Sequence, residues 1–320
     1  MHIDPGCEAV LDAVTVDSDG CRADVGGTVL EAASARELEG RMAGALYERF
    51  HARKITDDVD DDFSHLRDFG FERRLAEPAA DVTTSHRVDV VERTDTGGVA
   101  LIAGVRVALS VDQLASIVTD RGVETLRTSA SRPALSPGFF LVRVTPGARP
   151  LSGPLLRLYI GLADEEAGVR AWSLLLDHLG PASCGWQAKV LSNPAHYPRT
   201  DGLVVYLDST GWGGLPRLIR ELDASGVASG ETSYYVHRAA PGIGVAFEPR
   251  DPRPDRAGLS FGQHRSRVIG HALVSAALAG DSHDDRRARV VGELLGAGID
   301  PSSLARNLGS PAVAGVGIPV

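Results

Sequence analysis

Residues 131–320 read as an α+β domain, a mixed β-sheet with flanking helices, and residues 1–130 as a smaller module of helix and β-hairpin. Three observations carry this. Beyond residue 150, short apolar runs of alternating polarity take turns with longer stretches of helical periodicity. Before residue 130 the patterns are segregated: one long amphipathic stretch, then paired β-branched runs. Between them, a Pro/Gly-rich stretch at 135–154, "LSPGFFLVRVTPGARPLSGP", has a strand embedded in it.

The elements follow in order. In "EAASARELEGRMAGALYERFHARK" (31–54), Leu38, Met42, Leu46 and Phe50 recur at four-residue steps, which predicts a helix. Two β-branched runs in 86–111 about Gly97-Gly98 predict a hairpin turning on those glycines. "LLRLYIGL" (155–162) predicts a strand, and 164–180 a helix capped by Asp164 and stopped by Gly180. Strands are expected at 185–191, 202–208 and 233–239. Helices are expected at 214–226 and 260–280, with one or two more beyond.

A chain of 320 residues can bury a substantial core, and 43% hydrophobic with 23% charged residues is ordinary for a globular protein. The net charge of -9 argues against a broad nucleic-acid-binding surface. The acidic run at 57–62 reads as a solvated loop, since it lacks the spaced ligands and turn glycine of a cation site. Cys7, Cys21 and Cys184 form neither a zinc pattern nor a disulfide framework. With no signal-peptide pattern and no apolar run of bilayer length, the expectation is a reduced, cytoplasmic protein without a membrane partner.

One compositional oddity points to chemistry. The chain has 31 arginines and two lysines, Lys54 in a polar stretch and Lys189 inside the apolar run "GWQAKVL". In 155–162, Leu156, Leu158, Ile160 and Leu162 share one face. Arg157 and Tyr159 share the other, roughly 6.6 Å apart by the strand rise. If a strand–helix–strand connection returns 185–191 beside this strand with Trp186 in the core, Lys189 joins Arg157 and Tyr159. Arg199 lies downstream in "HYPRTD". His264, Arg265 and Arg267 fall in the first turn of the helix at 260–280, where a dipole and basic side chains favour an anion. Singly these residues read as a snorkelling lysine, a solvated sheet face and a decorated helix. Together they suggest a phosphate pocket.

Residues 135–280 resemble the HopA-type type III effector domain through "SPGFF", "RLYIGL", "WQAKVLSNPAHYPRTDGLVVY" and "SFGQHRSRV". That domain also occurs in bacterial peptide-modification clusters as a lyase partnered with a kinase-like protein, as in class V lanthipeptide and thioamitide pathways. It is similar in turn to the phosphothreonine lyases, whose Lys-x-His strand is followed some thirty residues later by the lysine base. Here "RLY" stands in place of Lys-x-His, and Lys189 follows Arg157 by 32 positions.

The resemblance implies a phosphothreonine-lyase-like fold. It also implies β-elimination of phosphate from phosphorylated Ser or Thr in a ribosomal precursor peptide, giving dehydroalanine or dehydrobutyrine without metal or organic cofactor. Lys189 would be the general base, a role closed to arginine, which stays protonated. Tyr159 would be the general acid, its pKa pulled down by Arg157, with His264 or His237 as alternatives. Tyr206 would donate to the enolate oxygen. Arg157, Arg199, Arg265 and Arg267 would clamp the dianion. The alternatives are a non-catalytic phosphopeptide- or leader-binding adaptor for the kinase, and an interaction protein with a degenerate pocket. Residues 1–130 are expected to recognise a partner or the leader. A fragment starting near residue 130 is expected to keep residual activity on a short phosphopeptide but lose preference for the full precursor.

Overall fold

The structure, a computed structural model, describes residues 2–53, 67–133, 135–145, 151–180, 184–251 and 253–318. Lys54 and the acidic run at 57–62 lie outside the described residues.

The chain begins with α1 (Pro5–Ala13), capped by the Asp4 carboxylate, and a small antiparallel sheet of β1 (Val14–Val16), β2 (Arg22–Val25) and β3 (Thr28–Glu31). Ser34 caps α2 (Ala35–Leu46) by accepting from the Glu37 amide. The helix runs on as a π-helical segment, Tyr47–Ala52, which Arg53 ends in the left-handed region. After α3 (Phe69–Ala76) come two three-stranded sheets. They are built from β4 (Thr83–Arg87), β5 (Asp89–Thr94), β6 (Gly97–Ile102), β7 (Val105–Leu109), β8 (Val118–Asp120) and β9 (Val123–Ser129), with α4 (Val111–Ala115) before β8.

The expected hairpin is present, but it turns at Asp95-Thr96, because Thr94 pairs with Gly97. Gly97 is instead the first residue of β6, with φ +145, and a Cβ there would lie 2.5 Å from the Leu109 carbonyl oxygen. Its glycine serves a close strand approach rather than the turn.

The remaining strands are β10 (Phe139–Val144), β11 (Leu156–Leu162), β12 (Trp186–Leu191), β13 (Arg199–Leu207), β14 (His237–Ala240) and β15 (Ile243–Phe247). They form one sheet in the order β10-β12-β13-β11-β15-β14. Every neighbouring pair is antiparallel. The crossover through α5 (Glu165–Leu179) makes β11 and β12 parallel, but they are not neighbours as the sequence suggested, because β13 lies between them. The strand expected at 233–239 starts only at His237.

The period-two alternation gives this sheet two unlike faces. Leu156, Leu158, Ile160, Trp186, Ala188, Val190 and Val205 bury one face against α5, α3 and α6 (Leu215–Ala224), with Trp172 and Leu218 at the contact. Each buried apolar side chain of this kind contributes roughly 1.5–3 kcal/mol. The indole N–H groups of Trp172 and Trp186 donate to the Leu75 and Leu179 carbonyls at 2.9 and 3.1 Å. Tyr159, Val204, Tyr206 and Ala246 belong to the other face, covered by α1, α2, α7 (Phe261–Ala279) and α8 (His283–Gly296).

The apolar stripe Leu38, Met42, Leu46 and Phe50 is buried in that second core together with Val268, Ile269 and Leu273 of α7. The helical stripe from Leu38 to Phe50 is therefore packed into that second core, not held in a separate module. A smaller cluster of Val88, Ala100, Leu109 and Leu126 belongs to the sheets of residues 83–129.

Candidate functional site

A cleft of about 660 Å³ opens on the second face, between the strands and the segment leading from β15 into α7. Its walls include Lys189, Arg157, Arg199, Tyr47, Glu248 and Arg256. Sheet register sets the first two. Lys189 is aligned with Val204, which is aligned with Tyr159, and the adjacent row runs Gln187, Tyr206, Arg157. The expected shared face for Lys189, Arg157 and Tyr159 is thus observed, with β13 interposed.

Lys189 makes no hydrogen bond or ion pair among the described residues; its ammonium lies 3.9 Å from the centroid of the Phe139 ring. Burial lowers its pKa to about 8; Arg157 and Arg199 add to the shift, and Asp201 and Glu248 oppose it.

The two cleft arginines from the sheet are each fixed along one edge. Arg157 donates from Nε and Nη2 to the Glu248 carboxylate, and from Nη1 to the Tyr159 hydroxyl at 3.3 Å. Its guanidinium carbon lies 4.8 Å from the centroid of the Tyr206 ring. Arg199 donates from Nε and Nη2 to Asp201 at 2.7 and 2.8 Å, and from Nη2 to the Tyr47 hydroxyl at 3.0 Å. Burial alone would push the Asp201 carboxyl up, but Arg199 holds it well below the carboxylate range.

Tyr159 departs from expectation. It is 3% exposed and lies against His51 and Phe261 in the second core. Burial raises its pKa and outweighs the opposing pull of Arg157, so the expected lowering is reversed. Tyr206, 9% exposed, is also raised by burial. Neither tyrosine is among the residues that line the cleft.

His264 is fully buried, with Nε2 3.0 Å from Asp251 and Nδ1 2.9 Å from Arg265 Nη1. Arg265 can only donate, so Nδ1 accepts and Nε2 carries the proton given to Asp251. Burial lowers the histidine pKa to about 4. With both nitrogens engaged, the ring is not placed to protonate a leaving group in the cleft.

Arg265 is no clamp either. It also donates to the Leu304 and Arg306 carbonyls and to Asn307 Oδ1 at 2.9, 3.2 and 2.9 Å, tying α7 to the C-terminal segment. Arg267 is exposed and outside the cleft. His237 pairs with Val245, whose side chain belongs to the opposite core.

Two cleft residues escaped the sequence reading. Tyr47, on the π-helical segment, donates to Asp201 at 2.8 Å; burial, with Asp201, keeps its phenol protonated well above neutral pH. π-Helical turns are common at functional sites, but nothing in the local pattern distinguishes this one from ordinary helix. Arg256 was one arginine among 31. A larger cleft of about 740 Å³ shares Arg199 and is lined also by Arg53 and Glu231, which pair at 2.5 Å.

The model of a family described as the HopA1 effector protein family matches residues 130–306. The effector protein from Pseudomonas syringae pv. tomato strain DC3000 is 17% identical, with a TM-score of 0.47 over 85% of this chain and 95% of that one. The effector protein from Pseudomonas syringae pv. syringae strain 61 is 15% identical, with a TM-score of 0.47 over 85% of this chain and 92% of that one. No curated protein sequence matches the chain.

Proposed function

The chain belongs to the HopA1 effector protein family, and on that footing we propose that it is a lyase that eliminates phosphate from phosphorylated serine or threonine in a ribosomal precursor peptide supplied by a kinase-like partner. The observation that carries this reading is Lys189, a lysine without a hydrogen-bond or ion-pair partner among the described residues, in a cleft walled by arginines, with its pKa lowered to about 8. At pH 7 about a tenth of it is unprotonated, against less than about a thousandth of an ordinary lysine.

Lys189 Nζ takes the proton from the substrate Cα. The electron pair left on Cα forms the Cα=Cβ bond, the Cβ–O bond breaks, and phosphate leaves with the bonding pair. Arg157 and Arg199, held rigid by Glu248 and Asp201, supply positive charge where negative charge develops. Tyr47 is the phenol that lines the cleft among the described residues; we assign to it the proton that leaves with phosphate, its O–H turning from Asp201 to the leaving oxygen as the Cβ–O bond breaks. Arg199 donates to the Tyr47 oxygen and would stabilise the resulting phenolate. Tyr159 acts through Arg157, as a residue that positions it.

The test is mass spectrometry of a phosphoserine peptide incubated with the purified chain. Loss of the elements of phosphoric acid, absent with unphosphorylated peptide, is the expected result. Binding without mass loss would replace the lyase with a phosphopeptide-binding adaptor.

A further inference from the structure

Of the described arginines lining the cleft, Arg256 alone has no carboxylate aligned with its guanidinium. It lies in the segment between β15 and α7, and its side chain is 8% exposed. Its Nε and Nη1 are buried without an acceptor among the described residues. Asp255 Oδ2 lies 2.9 Å from Nε, but off the N–H direction, and the Asp255 side chain is 59% exposed. Buried donors are satisfied in the great majority of cases, and a planar guanidinium suits two-oxygen recognition of phosphate. Ser260 and Gln263, the capping-box pair at the α7 N-terminus, line the same cleft and bring the positive end of a 19-residue helix to it.

We infer that Arg256 is the anion receptor of this cleft, the side chain that takes the phosphate monoester of the substrate while Arg157 and Arg199 remain bound to Glu248 and Asp201. This rests on the elimination reading for the identity of the substrate, but not for the existence of the anion site. It also moves the expected clamp away from Arg265 and Arg267, which the fold uses elsewhere or leaves outside.

Titration calorimetry of the full chain with inorganic phosphate, and with a short phosphoserine peptide, tests it. Arg256→Gln should weaken both by about 10- to 100-fold. Arg256→Lys should restore part of the loss, and Arg267→Gln should change neither. The melting temperature of Arg256→Gln should fall little, because the substitution removes no formed hydrogen bond at Nε or Nη1 and only an ion pair to a largely exposed carboxylate. Wild type that binds phosphate through Arg256 yet leaves phosphopeptide intact would keep the receptor and reject the lyase. Wild type that binds no phosphate, or Arg256→Gln that binds it within about twofold of wild type, would overturn the inference.

Discussion

Burial withdraws water from the Lys189 ammonium, and Arg157 and Arg199 repel the charge that remains. The base works unprotonated, so the sign of its pH dependence is fixed. Below about 8, kcat/KM should rise nearly tenfold per pH unit, then level off. A profile flat from pH 6 to 9 would remove a lysine of this pKa from the rate equation. The tyrosines separate by position. Tyr47 borders the cleft, whereas Tyr159 is reached only through Arg157. Tyr47→Phe should lower turnover about 10²-fold or more, the usual contribution of a positioned acid, and Tyr159→Phe by less than about tenfold. The reverse order in a paired kinetic assay would return the acid role to Tyr159.

The π-helical segment following α2 brings Tyr47 to the strands. Its His51 ring is held between neighbours, with Nδ1 2.8 Å from Ser233 Oγ and the ring centroids of Tyr159 and Tyr235 at 5.3 and 6.0 Å. Gly262 completes this seat, since a Cβ there would come within 2.0 Å of His51 Cδ2. Gly262→Ala should therefore cost about 1–3 kcal/mol in urea denaturation and also slow turnover, because the displaced His51 ring lies against Tyr47, with centroids 5.3 Å apart. Unchanged stability would mean that the segment adjusts freely. The strand pattern made Lys189 and Arg157 legible because a period of two assigns side chains to faces whatever the strand order. That is why the interposed β13 did no harm to the reading. The helix at 260–280 was equally legible, but its first-turn cations were not. Periodicity places Arg265 on a face without revealing that Leu304, Arg306 and Asn307, some 40 residues on, await its N–H groups. Tyr47 was hidden for the same reason, as its partner Asp201 is 154 residues away.

Residues 3–50 are not an appendage to the site domain. Ile3, Val10, Leu38, Met42 and Leu46 share one core with Tyr159, Val204 and α7. A fragment beginning near residue 130 would expose Val268, Ile269 and Leu273 to water, so it should aggregate instead of retaining the residual activity that the sequence suggested. A soluble fragment with native circular dichroism would contradict this. The sheets of residues 83–129 have their own small cluster of Val88, Ala100, Leu109 and Leu126, and reach the main sheet through contacts such as the 2.8 Å hydrogen bond between Thr84 and Thr145. Beside the joint core, Lys189 is the buried amine in the cleft, among the described residues, that can lose its proton. The measurement that bears on this most directly is single-turnover elimination by Lys189→Arg, read by mass spectrometry beside calorimetric binding of the same phosphopeptide. Charge is kept and the removable proton is lost, so binding should persist while phosphoric acid loss disappears. Elimination at a near wild-type rate would show that Lys189 is not the base.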